Sequence, residues 1–153
     1  MDRDRDKTGK DPMNTESPCN CLAIRQAARQ VTQLYDTELS ACGLRVTQYS
    51  VLSILDRVGP SSVQDLAAAL VMDRSTLGHN LRPLEREGLI RLAVDSNDRR
   101  TRRLDLTPQG KAKLEESRPH WQRAQQRFEA SYGAPDAKQL RTSLRRVVES
   151  AAK

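Results

Sequence analysis

The chain has 153 residues, a net charge of +6, 37% hydrophobic residues and 3% aromatic residues, which suggests one domain, or one domain with an added arm. This composition fits a helix-rich protein that completes its core by pairing with a second chain, and the basic balance makes nucleic acid a plausible partner. No apolar run approaches the roughly 18 residues that span a bilayer, and the charged N-terminus lacks the apolar core of a signal peptide, so we expect a cytoplasmic location.

The N-terminal segment predicts a tail and then one amphipathic helix. Residues 1–18 contain two prolines and lack apolar periodicity, so we predict that they are disordered. Four Lys/Arg and five Asp/Glu nearly cancel in this tail, so it is not a basic DNA-binding arm. From Asn20 to Ala41 apolar residues recur at steps of three and four, which indicates a helix that Gly43 ends.

Three further helices follow, each with a recognisable start. Thr47 is the predicted N-cap of the second helix, which stops at Gly59 and the proline after it. Ser61 or Ser62 caps the third, whose sequence is VQDLAAAL, and Asp73 can cap the fourth. The short link between the third and fourth helices predicts a helix-turn-helix.

After Gly88 the apolar pattern changes from a helical period to that of a strand. LIRLAV and RRLDL each indicate a strand, and the turn-rich loop DSNDRRT joins them in a hairpin. Thr107 and the proline after it then start a long helix, and Asp136 caps a last one. The predicted fold is mainly α with a small β-hairpin.

The fourth helix carries the candidate chemistry. On a helical wheel its leucines share one face, and polar or basic residues share the opposite face: Ser75, His79, Arg82 and Arg86. From Arg74 to Arg103 eight Arg/Lys and four Asp/Glu give a local charge of +4. A basic helix face is usually only solvated, but here it coincides with a helix-turn-helix and a basic hairpin loop, which favours DNA binding.

These segments resemble the MarR-type winged-helix transcription regulators. LAAAL, DRSTLGHNLRPLEREGLIRL and DSNDRRTRRLDLTPQG carry the resemblance, which runs from about Asn20 to the C-terminus. It implies a winged-helix DNA-binding lobe at 44–107 and dimerisation helices at 19–43 and 108–153. In that family a homodimer binds a pseudo-palindromic operator, usually as a repressor that a small ligand or an oxidant releases.

The resemblance implies that the recognition helix enters the major groove, and position and chemistry suggest its contacts. Ser75, His79 and Arg82 are candidates for base edges, and Arg82 could read guanine through two hydrogen bonds. Thr76 is a candidate for a base or a phosphate, and Arg74 for a phosphate. The alternative for His79 is a surface position that makes no contact.

The hairpin loop is the expected wing. Arg100 is the candidate for the minor groove, and Arg99 and Arg102 are candidates for the DNA backbone. Asp98 is expected to pair with an arginine and so to hold the loop.

A small-molecule pocket is one candidate sensor. It would lie between the DNA-binding lobe and the dimer helices, lined by Arg25, Arg29, Gln48 and Tyr49. Its cations would suit a small carboxylate or phenolic ligand. The alternative is that Arg25 and Arg29 are simply solvated.

The cysteines are the other candidate sensor. Cys19 and Cys21 lie at the start of the first helix, where the helix dipole can favour a thiolate. Cys42 lies at the other end of that helix, too far away to pair with them within one straight helix. The simpler interpretation is that all three are ordinary, unreactive cysteines.

The sequence therefore predicts a homodimeric, sequence-specific DNA-binding regulator of transcription. The alternative is a winged-helix module for protein interaction or architectural DNA binding, without small-molecule sensing. An enzyme is not expected, because His79 and His120 lie on the DNA-reading face and in a dimer helix rather than beside a nucleophile. No cofactor or metal is expected, since a site made of Cys19, Cys21 and His120 has poor ligand number and spacing.

Overall fold

The computed structural model describes residues 17–95, 97–98 and 102–151. Its α-helices are α1 Asn20–Leu39, α2 Val46–Val58, α3 Val63–Leu70, α4 Arg74–Arg86, α5 Pro108–Tyr132 and α6 Ala134–Ala151. Its strands are β1 Ser61–Ser62, β2 Ile90–Val94 and β3 Arg102–Leu106. The order of four helices, a hairpin and two helices confirms the predicted fold class. Most of the predicted tail at 1–18 lies outside the described residues.

Side-chain caps start three of the helices at positions that the sequence predicts. Ser62, Asp73 and Thr107 each accept a hydrogen bond from the backbone N–H three residues on, at 3.0, 2.8 and 3.0 Å. Such caps satisfy an N–H group that has no partner within the first turn. The Thr107 hydroxyl also donates to the Gly88 carbonyl at 2.6 Å, which ties the start of α5 to the turn before β2.

The start of α2 differs from the prediction. Thr47 is the predicted cap, whereas α2 already begins at Val46. Asp36 of α1 accepts the Val46 N–H at 2.7 Å, and the Gln48 side chain accepts the Arg45 N–H at 2.9 Å. A carboxylate from another helix therefore replaces the local cap, and no local pattern could reveal it.

Two helix ends also differ in detail. α1 ends at Leu39 and is followed by a 3₁₀ turn over Ser40–Cys42 rather than continuing as one helix. Gly43 closes this turn as predicted, with φ at 72°. α6 begins at Ala134, two residues before the predicted cap Asp136, because a proline is tolerated in the first turn of a helix.

The hairpin belongs to a three-stranded antiparallel sheet in the order β1-β3-β2. Ile90 lies opposite Leu106, and Leu92 lies opposite Leu104. β1 adds two residues along the other edge of β3, where Ser61 pairs with Leu104. β1 is not predicted from the sequence, because two residues cannot show the alternation that marks a strand.

The hydrophobic core lies between α2, α3, α4 and the sheet and continues onto α5. Its largest fully buried side chains are mainly leucines: Leu39, Leu52, Leu55, Leu66, Leu77, Leu84, Leu104 and Leu114. Leu77, Leu81 and Leu84 are at most 6% exposed, which confirms the predicted leucine face of α4. At the junction with α5, Tyr49 stacks on Trp121 with ring centroids 5.8 Å apart.

The terminal helices form a second layer, in which α1 and α6 both pack on α5. Glu38 of α1 pairs with Arg127 at 2.6 Å and with Arg123 at 3.4 Å on α5. Large apolar side chains remain exposed on this layer: Leu22, Ile24, Leu144, Val147 and Val148. Within the described residues, no helix combines the length and apolar content that crossing a membrane requires.

Candidate nucleic-acid interface

The side chains on the outward face of α4 are exposed and make no bonds to other described residues. Ser75, His79 and Arg82 lie opposite the buried leucines, and all three are exposed. None of these side chains has a hydrogen bond or an ion pair to another described residue. The face can therefore present a hydroxyl, an imidazole and a guanidinium to a partner without breaking an intramolecular bond, which reading base edges requires.

Thr76 differs from its neighbours because it belongs to the cap of α4. Its hydroxyl donates to Asp73 Oδ2 at 2.6 Å, and its N–H donates to Asp73 Oδ1 at 2.8 Å. These bonds, with that from the hydroxyl first, hold the pKa of Asp73 below its ordinary value of 3.8. The single hydroxyl hydrogen of Thr76 is already used in the bond to Asp73 Oδ2, so donation to a phosphate requires that bond to break. Its contact with DNA stays a prediction.

Arg74 is tied to the preceding helix. Its Nη2 donates to Gln64 Oε1 at 3.0 Å, which joins the first turn of α3 to the first turn of α4. Arg74 remains exposed, and a phosphate contact would use its other N–H groups. Gln64 cannot be identified from the sequence, because a bond between two helices leaves no signal in either helix alone.

An ion pair holds the base of the hairpin loop. Arg103 of β3 donates to Asp95 through Nε, and to the Pro60 carbonyl through Nη1 at 3.2 Å. The Asn97 N–H and then the Arg103 guanidinium lower the pKa of Asp95. Arg103 lies opposite Ala93 in the sheet. Asp95, two residues after Ala93, is therefore the diagonal neighbour of Arg103 on the same face of the sheet.

The sequence does not single out Asp95, because strand register rather than distance along the loop brings it to Arg103. Asp98 is exposed, and its pairing with an arginine stays a prediction. Arg102 is exposed and has no partner among the described residues. Arg99 and Arg100 lie outside the described residues.

The predicted ligand residues do not line one cavity. Tyr49 is buried against an aromatic ring of α5, and this burial raises the pKa of its hydroxyl. Gln48 is bonded to the start of α2, and Arg25 is exposed on α1. Of the four predicted residues, Arg29 alone lines a groove of about 730 Å³ along α1, which it shares with Arg45. The pocket that these four residues would form together stays a prediction.

The cysteines lie in two environments. Cys19 and Cys21 are exposed, and the Cys19 sulfur accepts the Leu22 N–H at 3.4 Å as the N-cap of α1. Cys42 is buried, and its thiol donates to the Leu39 carbonyl at 3.0 Å. Burial disfavours a redox role for Cys42, because an oxidant cannot reach its thiol, whereas Cys19 and Cys21 are accessible. In the part of the chain that the structure describes, no three His, Cys, Asp or Glu side chains are grouped to hold a metal ion.

Known proteins share this arrangement. The sequence profile of the MarR family matches residues 44–101. The transcriptional regulator MosR of M. tuberculosis, crystallised in complex with DNA, is 35% identical, with a TM-score of 0.78 over 88% of this chain and 96% of that chain. PcaV, a transcriptional regulator of Streptomyces coelicolor crystallised with its natural ligand, is 25% identical, with a TM-score of 0.78 over 88% of this chain and 94% of that chain.

A curated relative extends the same similarity. The HTH-type transcriptional regulator TtmR of Methylorubrum extorquens is 31% identical over 105 residues. These residues cover 69% of this chain and 54% of TtmR, so the chain spans about half the length of that relative. MosR, PcaV and TtmR are all described as transcriptional regulators.

Proposed function

The chain belongs to the MarR family, and we propose that it is a homodimeric regulator of transcription that binds a pseudo-palindromic DNA operator as a repressor. The outward face of α4 carries this proposal, because its exposed Ser75, His79 and Arg82 have no partner among the described residues. The second helix of a helix-turn-helix is the one that enters the major groove.

α4 reads bases in the major groove. Ser75, His79 and Arg82 follow one another at steps of four and three residues, so they form one stripe along the helix. The Arg82 guanidinium can donate two parallel hydrogen bonds to guanine, and such a contact contributes about 1–3 kcal/mol of discrimination between bases. Arg74 binds a phosphate beside this stripe.

Arg102 is the cation that the described part of the wing offers to DNA. Two other strand arginines are already paired, Arg103 with Asp95 and Arg91 with Asp105, so they stabilise the hairpin. Arg102 and the loop arginines that precede it contact the DNA backbone and the minor groove. Each neutralised phosphate releases counterions, so affinity falls steeply with salt.

Two chains pair through their terminal helices. A groove of about 530 Å³ between α1, α5 and α6 has mainly apolar walls, formed in part by Ile24, Val31, Phe128 and Leu144. A single chain leaves this apolar surface in water, which favours its burial against a second chain. The dimer supplies the two recognition helices that two half-sites require.

A small carboxylate or phenolic ligand, or oxidation of thiols, releases the operator. Arg29 and Arg45 line the groove along α1. Arg45 pairs there with Asp36 at 3.9 Å, so Arg29, which has no partner among the described residues, is the cation that the groove offers to a carboxylate. The related PcaV was crystallised with its natural ligand. Exposed Cys19 and Cys21 support the oxidative alternative. Thermal shift measurements with carboxylates, phenols and peroxide, with and without DNA, distinguish a ligand from thiol oxidation. An effector that releases the operator stabilises the free protein more than the protein–DNA complex.

Selection of duplexes from a randomised library tests the DNA-binding proposal. We expect the wild type to bind the selected duplex at least about 10³-fold more tightly than a scrambled duplex. Replacing His79 and Arg82 together with Ala should remove most of this preference. Arg86→Ala makes the same change in charge one turn further along α4, too far along the helix to reach bases, and should retain it. Equal affinity of the wild type for both duplexes would overturn the proposal and favour an architectural or protein-binding module.

A further inference from the structure

Arg74, the first residue of α4, is held by a side chain of α3. Its Nη2 donates to Gln64 Oε1 at 3.0 Å. Gln64 is the second residue of α3, so this bond joins the first turns of the two helices of the helix-turn-helix. Both residues are exposed, and an exposed hydrogen bond adds little to stability. The main effect of the bond is therefore to limit the directions in which the guanidinium can point.

The neutral partner distinguishes Arg74 from the other bonded arginines. Among the described residues, every other arginine whose side chain is bonded pairs with a carboxylate: Arg45, Arg91, Arg103, Arg118, Arg123, Arg127 and Arg141. A carboxylate offsets the charge of the arginine that it binds, whereas the amide oxygen of a glutamine accepts the bond without a charge of its own. Arg74 is therefore restricted in position and keeps its full positive charge.

The carboxylates next to this bond in the sequence are used as helix caps. Asp65, beside Gln64, accepts the Ser62 hydroxyl at 2.7 Å. Asp73, beside Arg74, accepts the hydroxyl and the N–H of Thr76 at 2.6 and 2.8 Å. The stability of α4 does not explain the choice of a cation for its first residue, because a helix start carries the positive end of the helix dipole. Binding of an anion from outside the fold does explain it.

We propose that Gln64 is a positioning residue, which holds the Arg74 guanidinium ready for a DNA phosphate without offsetting its charge. The inference rests on the proposed function, in which Arg74 binds a phosphate beside the reading stripe. The bond to Gln64 uses one of the five N–H groups of the guanidinium and leaves the others for phosphate oxygens. A side chain that is already restricted loses less conformational freedom on binding, which favours the complex.

A double-mutant cycle of Gln64 and Arg74 tests the positioning role. Gln64→Met removes the acceptor from a side chain of similar length and should weaken binding about two- to fivefold. The loss should be equal on the selected and scrambled duplexes, because phosphate contacts carry no sequence information. When Arg74 is replaced with Ala, Gln64→Met should cause no further loss, since no guanidinium is left to position. Gln109→Met, at the exposed second residue of α5, is the control and should leave affinity unchanged.

Gln64→Glu tests whether the neutral partner matters. The new carboxylate should pair with Arg74 and offset its charge, as in the other arginine pairs. The slope of log Kd against log salt should then fall by about one, as it should for Arg74→Ala. Binding should be weaker than that of Gln64→Met, although Tm should not fall, because a carboxylate in the first turn of a helix is favourable.

Three results would overturn the inference. Gln64→Met could bind both duplexes as tightly as the wild type, which would leave the bond to Arg74 without a role in binding. Its loss could be the same with and without Arg74, which would make Gln64 an independent DNA contact. Gln64→Glu could retain the affinity and the salt slope of the wild type. A wild type without preference for the selected duplex would instead overturn the proposed function, so the two failures are distinguishable.

Discussion

Gly110 lies in the first turn of α5, where the helix begins against the hairpin. An added Cβ would collide with the Leu89 carbonyl oxygen and lie 2.7 Å from Leu106 Cδ1. Because the first neighbour is backbone, the contact cannot be relieved by a side-chain rotation. Gly110→Ala should therefore lower the free energy of unfolding by about 1–3 kcal/mol in urea denaturation. An unchanged urea midpoint would show that Gly110 does not pack this closely against the Leu89 carbonyl.

Gly78 of α4 has the opposite surroundings, since an added Cβ meets nothing within 4 Å. Gly78→Ala should raise the free energy of unfolding by about 0.5–1 kcal/mol, because alanine loses less conformational freedom in a helix. Binding of the selected duplex should weaken at the same time, because Gly78 flanks the reading stripe and lets the backbone approach DNA. A more stable variant that binds equally well would show that the backbone of α4 stays away from the duplex.

The hairpin loop depends on Asp95 as an acceptor for both Asn97 and Arg103. Asp95→Ala should loosen the loop, so that trypsin cleaves it faster and the affinity for the selected duplex falls by no more than about fivefold. Glu87→Ala removes the same charge from the exposed end of α4 and serves as the control. Equal protease resistance of Asp95→Ala and the wild type would mean that another contact holds the wing.

Glu38 links α1 to α5, and its charge makes this link dependent on pH. Hydrogen bonds from Arg127 first and then Arg123 lower its pKa from the ordinary value of 4.5. The folded protein therefore binds this proton less readily than the unfolded chain. The stabilisation is complete above pH 4.5 and is lost as the pH falls through the lower folded value.

Glu38→Gln should consequently lower Tm at pH 7, and the difference from the wild type should shrink as the pH falls below 4.5. Thermal melts between about pH 3 and 7 measure it. Glu149→Gln is the control, because Glu149 has no ion pair with another described residue. A difference in Tm that stays constant with pH would show that Glu38 acts through packing rather than charge.

Local patterns account for the elements that the sequence predicts correctly. The spacing of Leu77, Leu81 and Leu84 determines which face of α4 is buried, and Ser62 and Asp73 cap their helices because the cap bond spans only three residues. These signals also identify the exposed face of α4.

Contacts between separate segments account for what the sequence analysis misses. Asp36 caps α2 from another helix, and Asp95 meets Arg103 through strand register. The backbone of Val71, with φ at 54°, is not predicted either, because a valine in a short link carries no local signal of positive φ.

The proposed dimer buries the apolar surface of α1 and α6. Leu144→Glu places a charge in the groove between α1, α5 and α6, where burial without a partner is costly. We expect light scattering to show a dimer for the wild type and a monomer for the variant, with loss of tight duplex binding. Val58→Glu, at a position 58% exposed on α2, should remain dimeric. A dimeric Leu144→Glu protein would place the interface elsewhere.

Hydroxyl-radical footprinting of the selected duplex tests most directly whether two α4 helices read one operator. We predict two protected segments related by two-fold symmetry, with centres about 10 base pairs apart or a multiple of that distance. Arg86→Ala should give the same pattern, whereas replacing His79 and Arg82 with Ala should remove it. A single protected segment, or uniform protection along the duplex, would contradict a dimer that reads two half-sites through α4.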